Sequence, residues 1–72
     1  MFQIKKFATR LKKLRAGTKE SQQVIADLLG VTTAQISDME NGKTTTSFER
    51  LVMLCEHFQV SADYLLGLKD EK

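Results

Sequence analysis

A chain of seventy-two residues with a net charge of +2, one cysteine, one histidine and no proline makes a single domain, 1–72, because so short a sequence cannot divide its apolar content between two cores. One Cys and one His exclude an internal disulfide and a structural zinc site. No apolar run is long enough to span a bilayer or to form the core of a secretion signal, so a cytoplasmic location is expected. The charge is unevenly spread: Lys5, Lys6, Arg10, Lys12, Lys13, Arg15 and Lys19 all precede the first acid, Glu20, while residues 20–72 carry four bases against nine acids. Such a one-sided field suits a polyanion.

The first predicted helix covers about 3–15, with Ile4, Phe7, Ala8, Leu11 and Leu14 on one apolar stripe and Lys5, Lys6, Lys12 and Lys13 on the other faces. Arg15 falls on the apolar side, where a guanidinium requires a carboxylate partner. A second helix is expected over about 22–29, capped by Ser21 and stopped by Gly30, with Ile25, Leu28 and Leu29 inward. The third begins at once: Thr32 followed three residues later by Gln35 is a capping-box pattern, and Asn41-Gly42 ends it. After a polar loop, Lys43–Thr46, a fourth helix from Ser47 to about Phe58 has Phe48, Leu51, Leu54, Cys55 and Phe58 as its apolar positions. A last short helix is capped by Ser61, buries Tyr64 to Leu66 and closes at Gly67. The expected fold is therefore all-α, a compact five-helix domain joined by short loops.

Only Gly30 and Val31 separate the second helix from the Thr32 cap, the tight connection of a helix-turn-helix over residues 21–41. Ser21-Gln22-Gln23, Ile25-Ala26, Leu29-Gly30-Val31-Thr32, Ile36-Ser37, Glu40-Asn41-Gly42-Lys43 and Val60-Ser61-Ala62-Asp63-Tyr64-Leu65-Leu66-Gly67 resemble the phage repressor and Cro (Xre-like) family of transcriptional regulators. The likeness runs from about residue 7 to 68. It implies a lambda-repressor-like domain that binds a double-stranded DNA operator as a homodimer and most simply represses. It also implies a buried ion pair between Arg15 and Glu40, fixing how the third helix stands on the core.

In that docking mode the third helix enters the major groove with its amino-terminal half leading. With Ile36 and Met39 inward, Thr33, Ala34, Ser37 and Asp38 are the candidate base-reading residues. None is an Arg, Asn or Gln, so they offer a hydroxyl, thymine-methyl contacts and a carboxylate acceptor for cytosine N4 instead of the bidentate purine contacts. Gln22, Thr32, Asn41, Lys43 and Thr44 are the candidate backbone contacts, placed by the resemblance and equipped with amide, hydroxyl and ammonium donors. Ala26, Gly30, Val31 and Ile36 are read as structural.

Gly42-Lys43-Thr44 is not the end of a P-loop, which needs a glycine where Ser37 stands. No catalytic set assembles from a lone histidine, and neither a cofactor nor a small-molecule effector is expected. A basic membrane-binding helix is disfavoured because the core needs the apolar stripe of the first helix. One competitor stays open: an antitoxin-like or accessory module that holds a partner protein, for which Phe2, Phe48 and Tyr64 to Leu68 offer apolar surface.

Overall fold

The computed structural model describes residues 1–72 and contains five helices: α1 (Ile4–Thr18), α2 (Gln22–Leu29), α3 (Thr33–Glu40), α4 (Phe48–Phe58) and α5 (Ala62–Leu65). Four start on a hydroxyl that accepts from the backbone three residues on: Ser21 from Val24, Thr32 from Gln35, Ser47 from Arg50 and Ser61 from Tyr64. Each cap satisfies one of the amides that a helix start leaves without an intrahelical partner. At Thr32 the box is complete, because the Gln35 side chain accepts from the Thr32 amide at 2.9 Å.

Two helices stop on glycine as expected. Gly30 and Gly42 take φ +71 and +75, and Val31 and Lys43 then bond back to the Ala26 and Asp38 carbonyls. The end of α1 differs from the expectation. The helix continues through Gly17 to Thr18, and Lys19 at φ 60 makes the left-handed turn, its own amide and that of Glu20 bonding back to Ala16 and Arg15. Gln59 at φ 56 ends α4 in the same conformation.

The core is one cluster drawn from all five helices, in which Phe7, Leu11, Ile25, Ile36, Leu54 and Leu65 are fully enclosed. Ala26 is completely buried, as befits a small residue where α2 and α3 pack. α3 also rests on α1, while α5 is held between α1 and α4 and α4 supports α2.

Two apolar assignments need correction. Phe48 stands in the right register, but it occupies the first position of α4, where nothing packs over it, and is 88% exposed. Conversely, Tyr64 and Leu65 are in the core, as expected of the last helix, and are therefore not the free surface that the partner-binding alternative drew on; of that stretch only Leu68 is exposed, with Leu66 half-buried.

Candidate nucleic-acid interface

The α2–turn–α3 unit is locked onto α1 through one carboxylate. Glu40, at the last turn of α3, has a side chain only 3% exposed. It accepts from Arg15 Nε at 2.6 Å and Nη2 at 2.9 Å, and from Gln22 Nε2 at 3.1 Å. The remaining Arg15 nitrogen, Nη1, donates to the Glu20 carbonyl at 3.0 Å. Three helices are thereby tied at one point, and every buried side-chain polar atom has a partner. Burial opposes ionisation of Glu40, but the Arg15 and Gln22 hydrogen bonds and the nearby Arg15 and Lys12 charges outweigh it, so the carboxyl is held below its ordinary 4.5. The same bond to Glu40 raises Arg15 further, against the effect of its own burial.

With Ile36, Met39 and Glu40 buried, α3 leaves Ala34 and Gln35 exposed and Thr33, Ser37 and Asp38 half-buried. Thr33 sits at the margin nearest the buried stripe, and Ala34 and Asp38 face most directly away from it. Gln35 is as open as Ala34, though its carbonyl is engaged by the Thr32 cap. Asn41, Lys43 and Thr44 are exposed on the turn that leaves α3, and Asn41 Nδ2 donates to Ser37 Oγ at 3.3 Å. Thr32 Oγ is exposed but committed to the Gln35 amide. Gln22 is half-buried, with one of its two amide protons given to Glu40.

The basic segment is sorted by the fold. Lys5 lies beside Gly42, where an added Cβ would stand 3.9 Å from its Cγ, and Lys12 is near enough to Glu40 to favour its charge. Both thus border the end of α3. Lys6 instead packs against Gly67, after α5. Arg10 and Arg15 are engaged inside the molecule.

The helix-turn-helix family model (HTH_3) matches residues 11–65. The chain belongs to the helix-turn-helix family. Among its relatives, the HTH-type transcriptional regulator AnsR of Bacillus subtilis (strain 168) is 38% identical over 63 residues, covering 88% of this chain and 54% of AnsR. The SPbeta prophage-derived regulator YonR of the same organism is 40% identical over 60 residues, covering 83% and 56%. The chain therefore spans little more than half the length of these relatives. The P22 c2 repressor, solved with a synthetic operator, superposes with a TM-score of 0.78 at 32% identity, over 83% of this chain and 91% of that one. A transcriptional regulator from Listeria innocua gives 0.84 at 32% identity, over 92% and 62%. The resemblance to phage repressors and the five-helix fold read from the sequence are both borne out.

Two side chains of this helix-turn-helix domain escaped the sequence reading. Arg50 of α4 donates from Nε to the Leu29 carbonyl at 3.2 Å, placing a cation at the negative end of α2. It also lines, with Asp38 and Thr44, a recess of about 250 Å3 beside α3. Its spacing of three residues from the Ser47 cap carried no signal of this. Arg10, counted with the basic segment, instead donates to the Tyr64 carbonyl at 2.6 Å and to Asp70 at 2.8 Å. Cys55 is half-buried, and burial together with Glu56 raises its thiol pKa, the reverse of an activated nucleophile. No helix is long and apolar enough to cross a membrane.

Proposed function

We propose that this chain is a sequence-specific double-stranded DNA-binding transcriptional regulator that inserts α3 in the major groove and acts as a repressor. The observation that carries the reading is the outward face of α3, open at Ala34 and Gln35 and part-open at Thr33, Ser37 and Asp38, tied to α1 and α2 by the Arg15–Glu40–Gln22 junction and flanked by exposed donors at Asn41, Lys43 and Thr44. Thr33, Ala34, Ser37 and Asp38 read base edges through short contacts, and Gln22, with its second amide proton, joins Thr32, Asn41, Lys43 and Thr44 on the phosphates. Selection of bound duplexes from a random pool tests it and returns the half-site. Replacement of Lys43 by Gln then weakens all duplexes about equally and reduces the salt slope by about 1, whereas Thr33→Ala changes which sequence wins. Failure to bind any duplex at low salt would overturn the proposal.

Dimerisation belongs to the same reading, since paired half-sites lie about 34 Å apart and ask for two copies. Phe48, Val52, Leu68 and Phe2, between 44% and 88% exposed, supply apolar surface, and Phe2 and Phe48 line one recess with Leu51 and Leu66. That surface also supports a second reading, an antitoxin-like or accessory module holding a partner protein. Sedimentation at micromolar concentration separates them. A dimer of the 8.2 kDa chain favours the first, and a monomer with no DNA affinity favours the second.

A further inference from the structure

The stripe of α1 formed by Lys6, Arg10 and Lys13, spaced i, i+4, i+7, faces the segment that follows α5 and not α3. Between them lies a cleft of about 380 Å3 whose lining includes Lys5, Lys6, Arg10 and Lys13. Arg10 is its fixed point. Its side chain is only 13% exposed, and its guanidinium lies 4.5 Å above the Tyr64 ring. Nη1 donates to the Tyr64 and Lys69 carbonyls, and Nη2 to the Asp70 carboxylate at 2.8 Å. One guanidinium thus takes a main-chain carbonyl together with the carboxylate of the next residue.

Lys5, Lys6 and Lys13 form no ion pair, so the cleft has three unpaired lysines and one carboxylate, Asp70, in its lining. That anion is loosely held, for the Asp70 side chain is 93% exposed. We propose that this cleft docks an extended acidic peptide, and that Lys69-Asp70 is a weak occupant supplied by the chain itself, displaced when a more acidic segment binds. A peptide fits better than a phosphate chain because the donor pattern already in place is satisfied by a backbone carbonyl and an adjacent carboxylate. The proposal stands independently of DNA binding by α3.

The probe is fluorescein-labelled hexa-aspartate, titrated by anisotropy at low ionic strength against the full chain. Asp70→Asn weakens the internal competitor by removing its charge and tightens binding by up to about fivefold, the worth of one exposed ion pair, and Lys6→Gln and Lys13→Gln each weaken it by a similar factor. These lysines are exposed, so the thermal midpoint stays unchanged. Lys43→Gln, on the α3 side, leaves peptide affinity as it was. Absence of binding to the Asp70→Asn chain overturns the proposal. So does an equal loss with Lys43→Gln, which means diffuse attraction, and so does displacement of the peptide by inorganic phosphate at equal charge, which means a phosphate site.

Discussion

Replacing Glu40 with alanine tests whether one carboxylate holds the helix-turn-helix in place. The substitution removes the acceptor of three donors at 2.6, 2.9 and 3.1 Å. It leaves the Arg15 guanidinium, 18% exposed, with only the Glu20 carbonyl. Stranding one member of a buried pair costs about 3–5 kcal/mol. A domain of this size has roughly 4–11 kcal/mol in all, so the variant keeps the fold with little margin or loses it. Urea unfolding followed by far-UV circular dichroism at pH 7 reads this directly. At about 1 kcal/mol per molar urea, the midpoint falls by about 3 M or more. Replacing both Arg15 and Glu40 with Met removes the stranded charge and recovers most of the stability, but duplex affinity stays reduced because α3 has lost its anchor. A loss below about 1 kcal/mol in the single variant, the range of an exposed pair, would refute the argument. The pH dependence has a defined sign. Since the folded Glu40 pKa lies below 4.5, its contribution is complete above that value and disappears as the pH falls through the lowered folded pKa. Glu40→Gln therefore has a flatter stability profile than the parent chain in that acid range.

Gln59, at φ 56, adopts a conformation that glycine takes without a Cβ penalty, so Gln59→Gly raises stability by about 0.5–1 kcal/mol in the same urea assay. Ser61→Ala removes the cap of α5, whose Oγ accepts from Tyr64 at 3.1 Å, and lowers stability by about 1 kcal/mol. Phe48→Ser leaves the urea midpoint nearly unchanged, because an 88% exposed ring contributes little to folding. In sedimentation the same variant shifts the chain to monomer if α4 forms the dimer contact, and an undisturbed dimer excludes that face.

The helix boundaries were legible because local chemistry sets them. Ser21, Thr32, Ser47 and Ser61 mark starts, and Gly30 and Gly42 mark stops. The end of α1 was not, because Gly17 stays helical and a lysine carries no signal for the left-handed turn it makes at position 19. Exposure at the start of α4 was also hidden. Phe48 fits the helical stripe but has no neighbour to cover it, whereas the burial expected of Tyr64 and Leu65 is met and only Leu66 stays half-buried. An Arg15 on an apolar face announced that it needs a carboxylate. That Gln22 shares the same carboxylate, and that Arg10 reaches residues 54 to 60 positions away, depends on tertiary geometry that spacing does not encode.

The fold changes how the basic segment should act on DNA. Read as charge alone, seven bases before residue 20 together with Lys43 would neutralise up to eight phosphates, giving a slope of about −7 in log affinity against log salt for each protomer. Arg15 is bound to Glu40 and Arg10 to the segment after α5, while Lys6 and Lys13 line the cleft beside that segment, which Lys5 borders from the α3 side. What borders the motif is Lys5, Lys12 and Lys43, with Lys19 three residues ahead of Gln22. Four phosphate contacts give a slope of about −3.6 per protomer. Titrating the selected duplex across a range of salt distinguishes the two values. A slope near −7 would mean that DNA also reaches the far side of α1, and would require the duplex to wrap around the domain instead of meeting α3 alone.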